Sequence, residues 1–453
     1  WELANLILSA MLLLMGALCV VAIVAAPALV EVTNYGYHHV PGKFELTVQL
    51  TRILFPFILF VSLAAAVMGM LNARFVFGVP ASASTVFNIV SVVAGVSLAY
   101  AFDPSARAHW PHVHFTERAL YGVSLGVLLG GLAQLVMQLP ALHRLGFRFR
   151  WRLNLRDPRL RQLWSLMWPS VIAASAVQVN VLVNGNFASE INGGRSWLAC
   201  AFRLAQLPIG LFGVSLATVT LPAVTRAFAR RDMTAFGHTT RDSLRLAWFL
   251  ALPASAGLAF LARPIIALIY QHGRFSAHDT LETAFALQAY ALGLAGYAAI
   301  RVVTPCFYAL GQPKTPLRIS LIGIGINLVL NTLNATVLGL GHVGLALTTS
   351  VVALMNFLQL MHALSRQVDI GGLRQWALFL VRCAAAAGLC GAVAFEVNHL
   401  VELATSSLAW RALGLAVAIG ASLPVYFGAA QVLRLQESVD AWRMIRRRIP
   451  GLA

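Results

Sequence analysis

The chain has 453 residues, 59% of them hydrophobic and only 11% charged, with a mean hydropathy of +0.77. Soluble globular chains carry roughly 25% charged residues, so the recurring apolar runs of about 20 residues read as membrane-spanning helices, and the lack of strand-type alternation argues against an outer-membrane barrel. The formal net charge of +17 would point to nucleic acid in a soluble chain, but here it sits in short loops between apolar runs and reads as a topology signal.

Twelve spans are predicted, at about 7–29, 50–73, 80–101, 119–142, 164–188, 197–222, 246–262, 284–310, 319–338, 343–364, 375–396 and 412–432. The first is read as a span and not a signal peptide, because Glu2 has the wrong sign for a basic leader and the apolar run is too long. Arg52 lies near the outer end of the second span, where it either snorkels to the interface or faces a cavity. The loop after the third carries "HWPHVH", whose His109, His112 and His114 lack a helix-spaced pair or an acidic partner, so no metal site is expected. After the fourth comes "HRLGFRFRWRLNLRDPRLRQ", in which seven arginines alternate in part with Phe147, Phe149 and Trp151. It reads as an amphipathic, headgroup-facing stretch. The fifth span holds Gln178, Asn180 and Asn184, and the ninth holds Asn327 and Asn331. The spacings Asn180–Asn184 and Asn327–Asn331 put each pair on one helix face, to line a cavity or to bond a neighbouring helix. The five cysteines, Cys19, Cys200, Cys306, Cys383 and Cys390, form no CxxC pair and read as small packing residues.

An even span count puts both visible ends on one side. Of the 33 Lys and Arg, 22 fall in the loops on that side and 7 in the opposite loops, so both ends are expected in the cytoplasm. The chain also matches itself. "APALVEVTNYG" and "ARPIIALIYQHG" each close a span and lead to a glycine, and Pro27 pairs with Pro264 at an offset of 237. Pro80 pairs with Pro316, Asn88 with Asn327, Gly122 with Gly344 and Arg144 with Arg366. Paired spans run in the same direction, as in transporters built from parallel repeats. The second repeat has six spans and the first four, so two further helices are expected before Trp1. The expected division is 1–145 for the four-helix remainder of an N-lobe, 146–366 for a six-helix C-lobe, and 367–453 for a C-terminal helix pair and basic tail.

The charges inside spans are unusual. No acid lies mid-span, while Arg52, Arg203, Arg301 and Arg382 do lie within spans. A charge at the bilayer centre costs about 2.5–3.5 kcal/mol on insertion scales, so such residues face cavities or polar partners. Arg382 is close enough to the cytoplasmic end to snorkel or to make a structural contact. With no intramembrane carboxylate to neutralise Arg203 and Arg301, the balancing charge is expected on a ligand, and a phosphate or pyrophosphate fits the planar guanidinium fork. Pro208 and Gly210, in "QLPIG", follow Arg203 and are expected to bend the helix and open a cavity; the alternative is an arginine held by the carbonyls of the broken helix.

The blocks "SWLACAFRLAQLPIGLFGVSLATVTLPAVTRAFAR", "LIYQHGRFSAHDTLETAFALQAYALGL", "VVTPCFYALGQPKTPLRI" and "TRILFPFILFVSLAAAVMGMLNA" resemble the signature regions of the MurJ/MviN lipid II flippases, members of the MOP exporter superfamily. The resemblance implies an all-α bundle of fourteen helices, two six-helix lobes and a C-terminal pair, with twelve present in this chain. It implies a monomeric, multi-pass inner-membrane protein with no catalytic residues or cofactor. Its cargo would be lipid II, the undecaprenyl-pyrophosphate-linked peptidoglycan precursor, carried outward by alternating access with its tail in a groove at the C-terminal pair. Arg203 matches the family's essential cavity arginine, and Arg52 and Arg301 match positions that are usually basic. Gln206 joins them as a candidate substrate-binding residue, with Pro208 and Gly210 as the hinge. Some members bind sodium through acids on two helices. The matching positions here, Asn184 and Asn331, are neutral, which leaves membrane potential as the other coupling source. A related MOP exporter, for polysaccharide-linked lipids or drugs, is the alternative, although a cationic drug would call for intramembrane carboxylates that the sequence lacks. A membrane enzyme would need clustered acids or a nucleophile, and no such spacing occurs.

Overall fold

The computed structural model describes residues 1–103, 116–154, 156–404 and 407–438. Among them there are sixteen α-helices and no strand. They fall into two compact units, Trp1–Ala174 and Ser175–Ala453. Eleven helices are long and apolar enough to cross a membrane. The remaining predicted span, 164–188, lies in a helix too, but one that begins with Arg159 and Arg161 and ends in the asparagine-rich "NVLVNGNFAS".

In the first unit, α1 (Glu2–Val24) breaks at Ala25 and continues as α2 (Ala26–Thr33), with Pro27 in its first turn. Proline has no N–H and is tolerated only there. Next come α3 (Lys43–Leu54) and α4 (Pro56–Ala73), again parted just before a proline, then α5 (Gly78–Phe102) and α6 (Arg118–Arg144). The α5–α6 contact is a glycine seam. A Cβ on Gly122 would lie 2.4 Å from the Ala99 nitrogen, one on Gly126 2.3 Å from the Gly95 Cα, and one on Gly130 2.0 Å from the Ser91 Oγ. Glycines four apart let two backbones approach where no hydrophobic force separates helix from lipid. The arginine-rich segment after α6 runs along α1. Asn5 donates to the Arg148 carbonyl at 3.3 Å and accepts from the Arg150 N–H at 2.7 Å, and Ser9 accepts from the Arg152 N–H at 3.1 Å. Phe147 is buried while Phe149 and Trp151 are exposed beside the arginines.

The second unit takes up the C-terminal part of α7 (Pro158–Ser189), followed by α8 (Gly194–Pro208), a π-helical segment Ile209–Val214, and α9 (Ser215–Ala229). Then come α10 (Met233–Phe260), α11 (Ala262–Tyr270), α12 (Ala277–Ala309), α13 (Lys314–Leu333), which runs on into a second π-helical segment Asn334–Leu338, and α14 (Gly341–Ser365). The pair α15 (Leu373–Ala404) and α16 (Leu408–Val432) closes the order. The repeat seen in sequence has a structural counterpart: α10 breaks at Leu261 into the short, proline-bearing α11, just as α1 breaks at Ala25 into α2. The central helix is α12, begun by a capping box in which Ser276 and Asp279 each satisfy the other's backbone N–H. Its Gly293 and Gly296 lie against Ser350 and Leu354 of α14. The apolar core joins Trp248 and Phe249 of α10, Val302 and Phe307 of α12, Phe357 of α14, Phe379 of α15 and Tyr426 of α16. The C-terminal pair is thus packed into this unit. Tyr426 donates to the Phe249 carbonyl at 2.6 Å. Arg245 pairs with Glu437 at 2.5 Å and lies over the Phe379 ring.

Candidate functional site

Two of the predicted arginines stand on neighbouring helices of the second unit. The start of α8 is fixed by Gly193, whose φ of 82° favours glycine, and by Trp197, whose indole donates to Asp279 of α12 at 2.8 Å. Further along, Phe202 packs on Tyr290, ring centroids 5.2 Å apart. In the π-helical segment, a Cβ on Gly213 would meet the Cγ of Arg301 at 3.2 Å. These three pairings occur in the same order along both helices, so α8 and α12 run parallel. Arg203 sits beside the Phe202–Tyr290 level and Arg301 at the Gly213 level, ten or eleven residues on. At 1.5 Å per residue the two arginine positions differ by roughly 15 Å along the helices, about half of a ~30 Å hydrocarbon core.

Both side chains are exposed, and among the described residues neither has a hydrogen bond or an ion pair. Arg203 is near Tyr270: burial pushes that phenol above its ordinary value, and the guanidinium pulls the other way. Gln206 is exposed one turn further along the same helix. Arg301 shares a face of α12 with Tyr297, Thr304 and Tyr308, a stripe of hydroxyls at i−4, i+3 and i+7. That stripe was legible in the spacing "YAAIRVVTPCFY" but was not read there.

The expected hinge takes a particular form. Proline at 208 deprives the carbonyl of Leu204 of its usual donor, and the helix passes into a π-helical stretch instead of breaking. π-segments inside α-helices recur at functional positions. Gly210 has nothing within 4 Å of an added Cβ, so close packing does not require a glycine there. Pro208 does border a cavity, but one of about 290 Å³ that is almost wholly apolar, lined also by Phe212, Pro253, Leu261, Cys390 and Tyr426. Arg203 is not among its walls.

In the first unit, Arg52 is exposed in the last turn of α3 and donates its Nε–H to the Ile23 carbonyl at 3.3 Å. It thereby satisfies the carbonyl end of α1, where a cation is favoured. Arg382 is half-buried.

The asparagines form a network. Asn331 donates to the Asn184 Oδ1 at 2.6 Å and to the Asn327 Oδ1 at 3.0 Å. Thr348 donates to the Asn331 Oδ1 at 2.5 Å, and Asn184 donates to Thr349 at 3.0 Å. Asn327 and Asn331 are fully buried, and they bridge helices. Asn184 and Thr349 also line a second cavity of about 290 Å³, with Tyr290 and Tyr297. The side chain of Asn180 lies outside the described residues. These groups do not fit sodium: the network holds no carboxylate, and its one unsatisfied polar atom, the buried Asn327 Nδ2, is a donor. No three His, Cys, Asp or Glu come together to hold a metal among the described residues; His109, His112 and His114 lie outside them.

Apolar helices of membrane-crossing length, several of them discontinuous, define a multi-pass helical membrane protein. A solved lipid II flippase MurJ in an inward closed conformation superposes with a TM-score of 0.74 over 95% of this chain and 84% of that one, at 22% identity. An inward-facing multidrug resistance MATE family transporter of the same superfamily superposes at 0.62 over 80% of each chain, at 14% identity. Both likenesses speak for the fold. The family model for lipid II flippase MurJ matches residues 2–414. The probable lipid II flippase MurJ of Vibrio cholerae is 32% identical over 394 residues, 86% of this chain and 72% of that protein. The chain belongs to the lipid II flippase MurJ family, a family of transporters and not of enzymes.

Proposed function

We propose that this protein carries lipid II from the cytoplasmic to the periplasmic leaflet of the bacterial inner membrane by alternating access, with Arg203 and Arg301 receiving the anionic headgroup at two successive depths. The observation that carries this is the pair of exposed guanidiniums, roughly 15 Å apart along parallel helices and without an ion pair among the described residues. A permanent cation within a membrane span is retained where an anion visits it. Both ends of the chain lie in the cytoplasm, so Arg203 is the outer station and Arg301 the inner one. Each guanidinium can grip a phosphate in a bidentate way. The apolar cavity beside α15 and α16 has the chemistry of a polyprenyl tail. Arg52, already bonded to α1, contributes positive charge near the outer face. Membrane potential supplies the drive: with the inside negative, an anion moving outward gains about 2.3 kcal/mol per charge per 100 mV.

The test is complementation of a strain depleted of its own flippase. Arg203→Ala is expected to abolish growth with protein levels unchanged, and Arg203→Lys to rescue it only in part, because lysine keeps the charge and loses the fork. Full growth of Arg203→Ala would remove Arg203 as a station. Labelling of single cysteines placed in 143–154 and 271–276 is expected to occur from the cytoplasmic and periplasmic sides, respectively; the reverse would invert the two stations.

A further inference from the structure

The asparagine network lies at the positions where the family resemblance puts a sodium site in some members. We propose that in this protein the site is an ion-free amide latch, which joins α7, α13 and α14 by neutral hydrogen bonds and needs no cation. Three observations carry the proposal. First, the side-chain oxygens are in use: Asn184 and Asn327 accept from Asn331, Asn331 accepts from Thr348, and Thr349 accepts from Asn184. Second, both amide hydrogens of Asn331 are spent, one on each neighbour. Third, the unsatisfied atom left over is the Asn327 Nδ2, a buried N–H donor. A cation placed among these groups would face that donor with no negative charge to offset its dehydration. Ion-binding geometry of the usual kind leaves orphaned acceptors instead.

The latch also has a reason to exist without an ion. Asn327 and Asn331 are fully buried, and a buried amide is tolerated only when bonded. Linking three helices, the network holds this part of the unit in one arrangement while Asn184 and Thr349 remain at the wall of the cavity. What the cavity lacks for a cation is charge, and the two positions that could supply it are Asn184 and Asn331.

Purified protein, free of lipid II, is melted in sodium chloride and in potassium chloride at equal ionic strength, and binding of radiolabelled sodium is measured alongside. The unsubstituted protein is expected to melt at the same temperature in both salts and to retain no label. Asn184→Asp/Asn331→Asp is expected to gain a sodium-selective rise in melting temperature and saturable label. If the double variant does not fold, Asn331→Asp alone is the second test. A sodium-selective shift in the unsubstituted protein that disappears in Asn331→Ala overturns the proposal. So does a folded carboxylate variant that remains indifferent to sodium, since charge is then not what the site lacks. Because no cargo is present, the outcome is independent of the lipid II reading.

Discussion

Arg301 rests its stem against Gly213, and this contact allows the proposed inner station to be displaced without touching the arginine. A Cβ added at Gly213 would lie 3.2 Å from the Arg301 Cγ and 3.5 Å from its Cβ, while carbon atoms prefer about 3.5–4.0 Å. Gly213→Ala therefore asks the stem to yield by a few tenths of an ångström. Replacing glycine by alanine in a helix contributes about 0.8–1 kcal/mol, enough to offset so small a strain, so this variant is expected to keep both stability and transport. Gly213→Leu fills the space the stem occupies and must turn the guanidinium away. A charge-assisted hydrogen bond to the cargo is worth about 1.5–3 kcal/mol, so its loss in the rate-determining state slows transport roughly 10- to 150-fold. Gly210→Leu is the control, three residues away with nothing within 4 Å of the added carbon; it should transport normally. The assay is appearance of labelled lipid II in the opposite leaflet of proteoliposomes, read with an impermeant reagent, together with thermal melts in detergent. Normal transport by a folded Gly213→Leu variant, or equal loss in Gly210→Leu, would refute the argument that Arg301 acts from this position.

Gly126→Leu should drive α5 and α6 apart, because the first added carbon already meets the Gly95 backbone at 2.3 Å; overpacking of this kind costs about 1–3 kcal/mol, and an unchanged melting temperature would contradict the close seam. Glu437→Gln leaves Arg245 beside Phe379 without its carboxylate. A fully buried broken pair costs about 3–5 kcal/mol, but these side chains are 28% and 11% exposed, so a loss of about 1–3 kcal/mol is expected, read as earlier labelling of a cysteine at 390 on heating. Asp279→Ala removes the reciprocal half of the α12 capping box and the acceptor of Trp197, while the Ser276 cap itself stays; losing a capping interaction costs about 1 kcal/mol, and the melting temperature should fall accordingly. The hydrogen bond from Arg159 holds the Asp157 carboxyl below its ordinary value. A lowered folded value means stability that is present above the unfolded value of about 4 and lost as pH falls below it. Proteolysis near 150–157 should thus be flat from pH 5 to 8 and rise in more acidic buffer.

The helices were legible because apolar runs of membrane length leave little choice of structure: a backbone in lipid must bond itself. The repeat could be read because prolines such as Pro27 and Pro264 constrain backbone geometry, but the breaks before Pro27 and Pro56 fall inside the predicted spans 7–29 and 50–73 and were not read. What stayed hidden depends on partners in space. The spacing Gly122, Gly126, Gly130 was visible, but only the structure shows which helix fills it. The asparagines were visible as helix-face pairs, i and i+4, yet whether a pair faces a cavity or another helix depends on Thr348 and Thr349, about 160 residues after Asn184. The two arginines stood out from charge alone, because no acid lies mid-span to balance them.

Their separation in depth could not be read from that charge argument, and it bears on mechanism. Arg203 and Arg301 belong to different predicted spans, so sequence offers no common axis on which to compare them. The pairings of Trp197 with Asp279, Phe202 with Tyr290 and Gly213 with Arg301 supply that axis. A single deep anion well would hold a diphosphate too tightly to release it. In the proposed two-station reading, two wells roughly 15 Å apart, each with one permanent cation, would lower the barrier between them while keeping each site shallow enough to leave. The π-helical segment lies between the stations on the same helix and ends at the contact with Arg301. A change in its winding would therefore move the inner cation relative to the outer one; each single alanine is expected to leave transport near normal, and stiffening the segment with Gly210→Ala/Gly213→Ala together is expected to slow it while raising the melting temperature. Equal rates for the double variant and the singles would leave the segment as a fixed feature of the helix.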